Sequence, residues 1–351
     1  MTLDRFRLDA DAGRLDVPVS VAWLLAELGE FRGRQTLYTR QSAQRLKALR
    51  EHAVIESAIS STRIEGVTVA PDRHAAVLRS RARLRDRDEA EVRGYRDAVS
   101  LVHERHAQLG LSEETILRLH RLCRPGSGDT GSYKRVESDI MERLATGETR
   151  VRFRTVSARR TPGAMKGLIA AARRLEDGHW VPPLLCAAAF NLDFLRIHPF
   201  RDGNGRVSRL LLLLQTYRAG FDVGRYVSLE RVIEEHKDRY YETLEISSTG
   251  WHDHRHDPWP YINYLLYVLR TAYAEFERRA GQAAEPKGTK TAAVLDAIGR
   301  APGTFSVSEL ARTCPAVSLD MIRRVLKDQQ REGQVLCLGR GPGARWRRVG
   351  S

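Results

Sequence analysis

Cysteine is scarce: four in 351 residues (Cys123, Cys186, Cys314 and Cys337), far apart and without a CxxC pair. That spacing argues against a disulfide scaffold and against a zinc site. A reduced, cytoplasmic protein is the simplest expectation. Long apolar runs are missing too. Even the leucine run Leu210 to Leu214 is far short of the ~20 residues that a membrane helix requires, so no membrane partner is expected. The first residues, Met1-Thr-Leu-Asp-Arg-Phe-Arg, are charged and hold no apolar signal core. The phosphate loop G-x-x-x-x-G-K-[ST] is absent, and Gly128 to Lys134 matches it only superficially.

Charge of one sign prevails. The net charge is +14, from 58 basic and 44 acidic residues. Only seven of the basic residues are lysine, an arginine bias that a GC-rich genome produces without selection for binding. Residues 287–351 hold 12 basic and 5 acidic side chains, so half of the excess lies in the last 65 residues. A basic cluster of this kind is one mark of a nucleic-acid partner.

Periodicity predicts a mainly α chain in three parts: 1–100, 101–280 and 287–351. Thr39 to Ile64 carries Leu46, Leu49, Val54, Ile55 and Ala58 at helical spacing, and Gly66 follows as a stop. Pro71 opens a second helical stretch, expected to run through Arg83. Leu184 to Ile197 and the stretch through Val207, Leu210, Leu211 and Leu214 each read as a buried helix. One segment alternates instead, Thr149 to Ser157, and Gly147 before it suggests a hairpin turn. Residues 281–290, GQAAEPKGTK, read as a linker. The remainder reads as helices over Thr291–Ile298, Val307–Thr313 and Leu319–Glu332, then a strand pair around Gly339–Gly343. That is the order of a winged helix-turn-helix.

The segment richest in chemistry is His198-Pro-Phe-Arg-Asp-Gly-Asn-Gly-Arg-Val-Ser-Arg209. Gly203, Asn204 and Gly205 can adopt left-handed conformations that turn successive N–H groups toward an anion. A helix follows, so its positive end faces the same point. Arg206 and Arg209 lie three apart at that end, hence on one face. Asp202 offers a hard oxygen for the Mg²⁺ that a triphosphate carries. His198 can take a proton near neutral pH. Phe200 has no polar role and is expected to anchor the loop.

This segment resembles the Fic family signature, H-x-F-x-[DE]-G-N-G-R-x-x-R, at every specified position, and the resemblance extends over residues 40–280. It implies a helical Fic (Fido) bundle with a small β-hairpin flap. It implies transfer of AMP from ATP onto a Ser, Thr or Tyr hydroxyl of a target protein, with release of pyrophosphate. His198 would be the general base and Asp202 would hold Mg²⁺. Gly203, Asn204 and Gly205 would bind phosphate oxygens, and Arg206 and Arg209 the β- and γ-phosphates. The phosphorylating branch has lysine where this chain has Gly205, which favours nucleotidyl transfer.

Ser61-Thr-Arg-Ile-Glu65-Gly66 resembles the family's inhibitory motif, [ST]-x-x-x-E-[GN], placed before the catalytic domain as in its second class. The resemblance implies that Glu65 pairs with Arg209 and displaces the γ-phosphate. The alternating segment resembles the flap, whose edge takes up an extended target segment. Tyr240, beside Tyr241, is where relatives place a tyrosine near the nucleoside. His252, His254 and His256 alternate between Trp251 and Trp259, and a polar surface loop is the expectation there rather than zinc. Other roles stay open: a DNA-binding regulator that senses nucleotide, or an enzyme that mainly removes AMP. The partners also stay open: an unidentified target protein, DNA through 287–351, or a second copy in a homodimer.

Overall fold

Helices dominate, as the apolar spacing dictates. The structure, a computed structural model, describes residues 1–39, 43–79, 83–143, 147–281, 289–301, 303–314, 317–339, 341 and 343–349. The chain divides into two compact units, Met1–Glu277 and Arg278–Ser351.

The first unit holds α1 (Thr2–Asp11), α2 (Val19–Thr39), α3 (Ala43–Ile64), α4 (His74–Arg79), α5 (Arg87–Arg105) and α6 (Glu113–Cys123). A hairpin follows, β1 (Ile140–Arg143) and β2 (Thr149–Phe153), antiparallel with Met141 opposite Val151. Then come α7 (Thr161–Gly178), α8 (Pro183–Ile197), α9 (Asn204–Arg218), α10 (Leu229–Glu235), α11 (Lys237–Ile246) and α12 (Trp259–Gly281), the last reaching past the division. Helix α8 is buried from Leu184 to Ile197, and α9 at nearly every position. These two pack against each other, with α7, α1, α6 and α5 alongside. Proline at the start of α8 and the alanines 187–189 within it suit this central place, since small side chains let neighbouring helices approach. Residues 1–100 share one core with the rest of the unit. A buried carboxylate helps join them: Asp193 on α8 accepts from the Thr2 and Leu3 N–H groups at 2.9 and 3.0 Å, and from the Trp251 indole at 2.8 Å.

Several expectations need correction. The helix expected over Thr39–Ile64 is α3, beginning at Ala43, while Thr39 closes α2. The stretch from Pro71 is a single 3₁₀ turn and the short α4, and Arg83 is not helical, because few apolar anchors hold so charged a segment. In β2 the alternation does not become a buried face. Val151 is exposed and only the Phe153 end packs on the core, since a two-stranded ribbon has no layer to cover it. The expected linker falls largely on residues 282–288, outside the described residues.

The second unit contains α13 (Thr289–Arg300), β3 (Thr304–Ser306), α14 (Val307–Thr313), α15 (Leu319–Arg331), β4 (Val335–Cys337) and β5 (Arg345–Arg348). The strands form one antiparallel sheet in the order β3-β5-β4. Val294, Phe305, Leu310, Ile322, Leu326 and Trp346 fill its core. Ser306 and Glu309 close a capping box at the start of α14. The three helices and the final strand pair lie where periodicity placed them. Strand β3 was not expected, because three residues are too few to show alternation.

Candidate active site

The signature loop joins the two buried helices. His198 ends α8 in a left-handed conformation, φ 53°, a position usually taken by glycine or asparagine. Its N–H still reaches the Phe194 carbonyl at 2.9 Å. Phe200 is fully buried, as expected, and stacks on the His120 ring with centroids 3.8 Å apart. The Asn204 side chain closes the loop: Oδ1 accepts from the Phe200 N–H at 2.9 Å and Nδ2 donates to the Phe200 carbonyl at 2.8 Å.

Of the three residues expected to be left-handed, only Gly203 is, at φ 89°. Asn204 and Gly205 already belong to α9. Glycine at 205 answers a different constraint: a Cβ there would lie 2.1 Å from Glu65 Oε1. The N–H groups of the first helical turn have no intrahelical acceptor, so the Glu65 carboxylate lies at the positive end of α9.

The two signature arginines go to different partners. Arg206 is buried and donates to Glu91 Oε2 at 2.5 Å and to Asp202 Oδ1 at 3.3 Å. Glu91 also binds Arg87 and Arg124, and Arg124 reaches Asp202 Oδ2 at 3.1 Å. Asp202 is thus held by cations while its side chain stays half-exposed. Arg209 is also buried. Its Nε donates to Ser61 Oγ at 2.8 Å, and Nη2 to the Ser61 carbonyl at 3.0 Å and to Glu65 Oε1 at 2.8 Å. Nη1 is buried with no partner. Gly66, at φ 82°, ends the turn that presents Glu65, and its N–H donates to the Arg63 carbonyl.

A cavity of about 370 Å³ brings distant segments together: Glu65 from the turn after α3, His198 from the loop, Gly205 from the start of α9, Tyr240 and Tyr241 from α11, and Phe153 from β2. Its volume lies in the range of small-molecule sites. Tyr240 packs among Tyr241, Tyr261 and Tyr264. His252, His254 and His256 do not converge: they meet the Arg154 carbonyl, the Met1 amine and the Thr2 hydroxyl, respectively. His256 is buried, which a surface loop does not explain. No cluster of three metal-binding side chains occurs among the described residues.

Two cations near His198 carry no signal in the sequence: Lys134 is 64 positions away, and Arg196, two residues before the histidine, has no mark of its own. Arg196 lines the cavity and is 4% exposed. Its guanidinium lies 4.5 Å from the Phe153 ring centroid, its Nε has no partner, and burial lowers its pKa to about 10. Lys134 is buried, donates to Thr155 Oγ1 at 2.7 Å and is lowered to about 8 by burial. Burial first, then Arg196 and Lys134, push the His198 imidazole down to about 4. The ring is therefore neutral at pH 7 and able to accept a proton. His120 is also neutral, lowered to about 4 by burial. Its Nδ1 accepts from the Gly131 N–H at 2.9 Å, which leaves the Nε2 proton for the Asp202 carbonyl at 3.0 Å.

Residues 110–216, which include the whole loop, match the model of the Fic/DOC family. Over those residues the chain is similar to a Fic domain. "Protein adenylyltransferase Fic" from Culex quinquefasciatus is 35% identical over 75 residues, 21% of this chain and 14% of that protein. "Protein adenylyltransferase fic-1" from Caenorhabditis elegans is 28% identical over 227 residues, 62% of this chain and 39% of that protein. The chain thus spans well under half of these curated relatives. A Fic family protein from Desulfovibrio desulfuricans G20, solved by crystallography, is 25% identical and superposes with a TM-score of 0.63, covering 96% of this chain and 98% of that one. The structure of Fic-1 from C. elegans shares the fold at 22% identity, with a TM-score of 0.57 over 74% of this chain and 72% of that one. Glu65 lies outside the matched Fic segment, and only tertiary contacts bring it to Gly205.

The environment of His198 has a measurable consequence. By NMR, its ring should remain neutral in the free protein until about pH 4. Arg196→Ala removes a nearby positive charge and some of the desolvation, so its midpoint should rise toward the ordinary value near 6.5. An unmoved midpoint would separate the two groups electrostatically.

Proposed function

We propose that this chain is an autoinhibited protein adenylyltransferase, moving AMP from ATP to a Ser, Thr or Tyr hydroxyl of a target protein. The observation that carries this reading is one cavity lined by a neutral His198, by Gly205 at the α9 N-terminus and by Glu65, whose carboxylate pairs with Arg209. The adenylyltransferase names of the similar proteins support it.

In this reading His198 takes the proton of the target hydroxyl. The hydroxyl oxygen attacks the α-phosphorus, the bond from that phosphorus to the bridging oxygen breaks, and pyrophosphate leaves. His198 then returns its proton to solvent. The N–H groups at 203–205 bind phosphate oxygens, and Arg209, once free of Glu65, holds the γ-phosphate. Arg206, locked onto Glu91, orients Asp202 and contributes charge to the β-phosphate from behind. The half-exposed Asp202 suits Mg²⁺, which binds through one or two carboxylates together with substrate phosphates. Bound there, Mg²⁺ would neutralise phosphate charge. Tyr240 packs near the nucleoside. The hairpin, with Met141 and Val151 exposed, offers an edge to an extended target segment.

Residues 1–100 act here as the regulatory segment, 101–280 as the catalytic domain and 287–351 as a winged helix-turn-helix. On α15, Arg323 and Arg331 pair with Asp320 and Asp328. Arg324, whose guanidinium donates to the Met321 sulfur, and Lys327 form no ion pair among the described residues and support contact with DNA phosphates. In the wing, Arg345, Arg347 and Arg348 belong to β5, and Arg340 lies outside the described residues.

Three outcomes follow. His198→Ala should lower transfer ~10²–10⁴-fold while the ATP dissociation constant stays within about threefold, measured with ATP labelled at the α-phosphate. Glu65→Gly should raise labelling of the chain or of lysate proteins at least about tenfold, since a restraint of ~1.4 kcal/mol is tenfold in rate. Duplex DNA titrated into the full chain should bind weakly and lose affinity steeply between low and moderate salt. Absence of binding at low salt would make residues 287–351 a protein-interaction module.

A further inference from the structure

The inhibitory helix α3 presents more than the Ser61 and Glu65 of its motif. Ser57 lies one turn earlier on the same face, and it is buried. The three residues follow at i, i+4 and i+8, Ser57 and Ser61 on α3 and Glu65 in the turn after it, and they meet two parts of the core. Glu65 lies against Gly205 and Arg209, and Ser61 binds Arg209 through both its hydroxyl and its carbonyl. Ser57 meets Glu230 on α10, its hydroxyl donating to Glu230 Oε2 at 2.7 Å.

Glu230 is an unusual carboxylate. It is 1% exposed, and among the described residues its side-chain partners are all hydroxyls. Ser57 and Ser228 share Oε2, at 2.7 and 3.2 Å, and Tyr95 on α5 donates to Oε1 at 2.9 Å. A buried carboxylate with no cation beside it is costly unless its oxygens are well satisfied, so removing one donor is felt. Burial raises the pKa of the Tyr95 hydroxyl well above its ordinary value while Arg209 and Ser61 act the other way, so both lie within its electrostatic reach. The hydroxyls therefore link Glu230 to the inhibitory pair through two routes, one along α3 and one across α5. Ion pairs flank the same contact, Arg231 with Glu56 at 3.7 Å and Arg63 with Glu234 at 3.7 Å.

We propose that Glu230 is a latch for the inhibitory helix: with Ser57 and Tyr95 it sets the register of α3 so that Glu65 reaches Arg209 and Gly205. Glu230 and Ser57 are positioning residues that act through Glu65. The latch rests on the inhibitory reading given above. It also implies how inhibition is relieved: a partner that pulls α3 away from α10 breaks the Ser57–Glu230 bond and withdraws Glu65 together.

The test uses the full chain and ATP labelled at the α-phosphate. Ser57→Ala and Glu230→Gln should each raise basal labelling roughly three- to tenfold, the size expected for the net loss of one ordinary hydrogen bond. Each should also speed amide exchange at residues 58–66. In a Glu65→Gly background neither should add a further rise, because the restraint is already gone. Merely structural damage would lower labelling in both backgrounds, and that overturns the latch. So would a parental rate in both single variants, or an equal rise with and without Glu65. A Glu65→Gly chain no faster than the parent would overturn the inhibitory reading itself, and the latch with it.

Discussion

A guanidinium taken out of water must find acceptors, and the arrangement of this site follows from where Arg206 and Arg209 find theirs. Both leave the same buried helix, α9, and neither can turn to solvent. Arg206 is answered by Glu91 on α5, and Arg209 by Ser61 on α3 and Glu65 in the turn after it. Two helices from the first hundred residues are thereby pinned to the signature loop. The loop's own geometry depends on the same anchoring, because Asp202 is held by Arg206 and Arg124. A buried ion pair is not in itself a strong source of stability, since desolvation offsets much of the attraction. Here its consequence is register: each pair has one helix position at which it closes.

The second constraint is the burial of His198 beside two cations. Arg196 and Lys134 are buried beside it without acidic partners in hydrogen-bond contact. Their charge and the dry surroundings keep the imidazole neutral and lower the basicity of the ring. The same positive potential favours an anionic ligand in the cavity. A polyphosphate brought there would supply the missing negative charge and raise the proton affinity of His198. Ligand and base are then coupled: the ring becomes a better proton acceptor when the phosphates are in place.

The hairpin, the loop and α11 come from separate stretches of chain, yet all border one cavity. Phe153 connects them: Arg196 stacks on its ring, and His252 lies parallel to it at 5.3 Å between centroids. The base of the hairpin is therefore held, while Met141 and Val151 further along remain exposed. That division suits a strand edge that must be both placed and accessible.

By itself the sequence determined the helical class, the buried character of α8 and α9, and the resemblance carried by the loop from His198 to Arg209. These are local properties: apolar spacing, helix stops and a dense run of residue types each leave a mark in one window of chain. The Ser61 to Gly66 turn was legible for the same reason. The fates of the two arginines were not, because adjacency on one helix face says nothing about which distant carboxylate will meet each. Nor was the reason for Gly205, whose missing side chain makes room for a group 140 positions away in the chain. Arg196, Lys134, Glu91 and Glu230 are ordinary letters in sequence. Only the tertiary structure made them matter, because burial removes water and leaves each charge to whichever neighbours the packing provides.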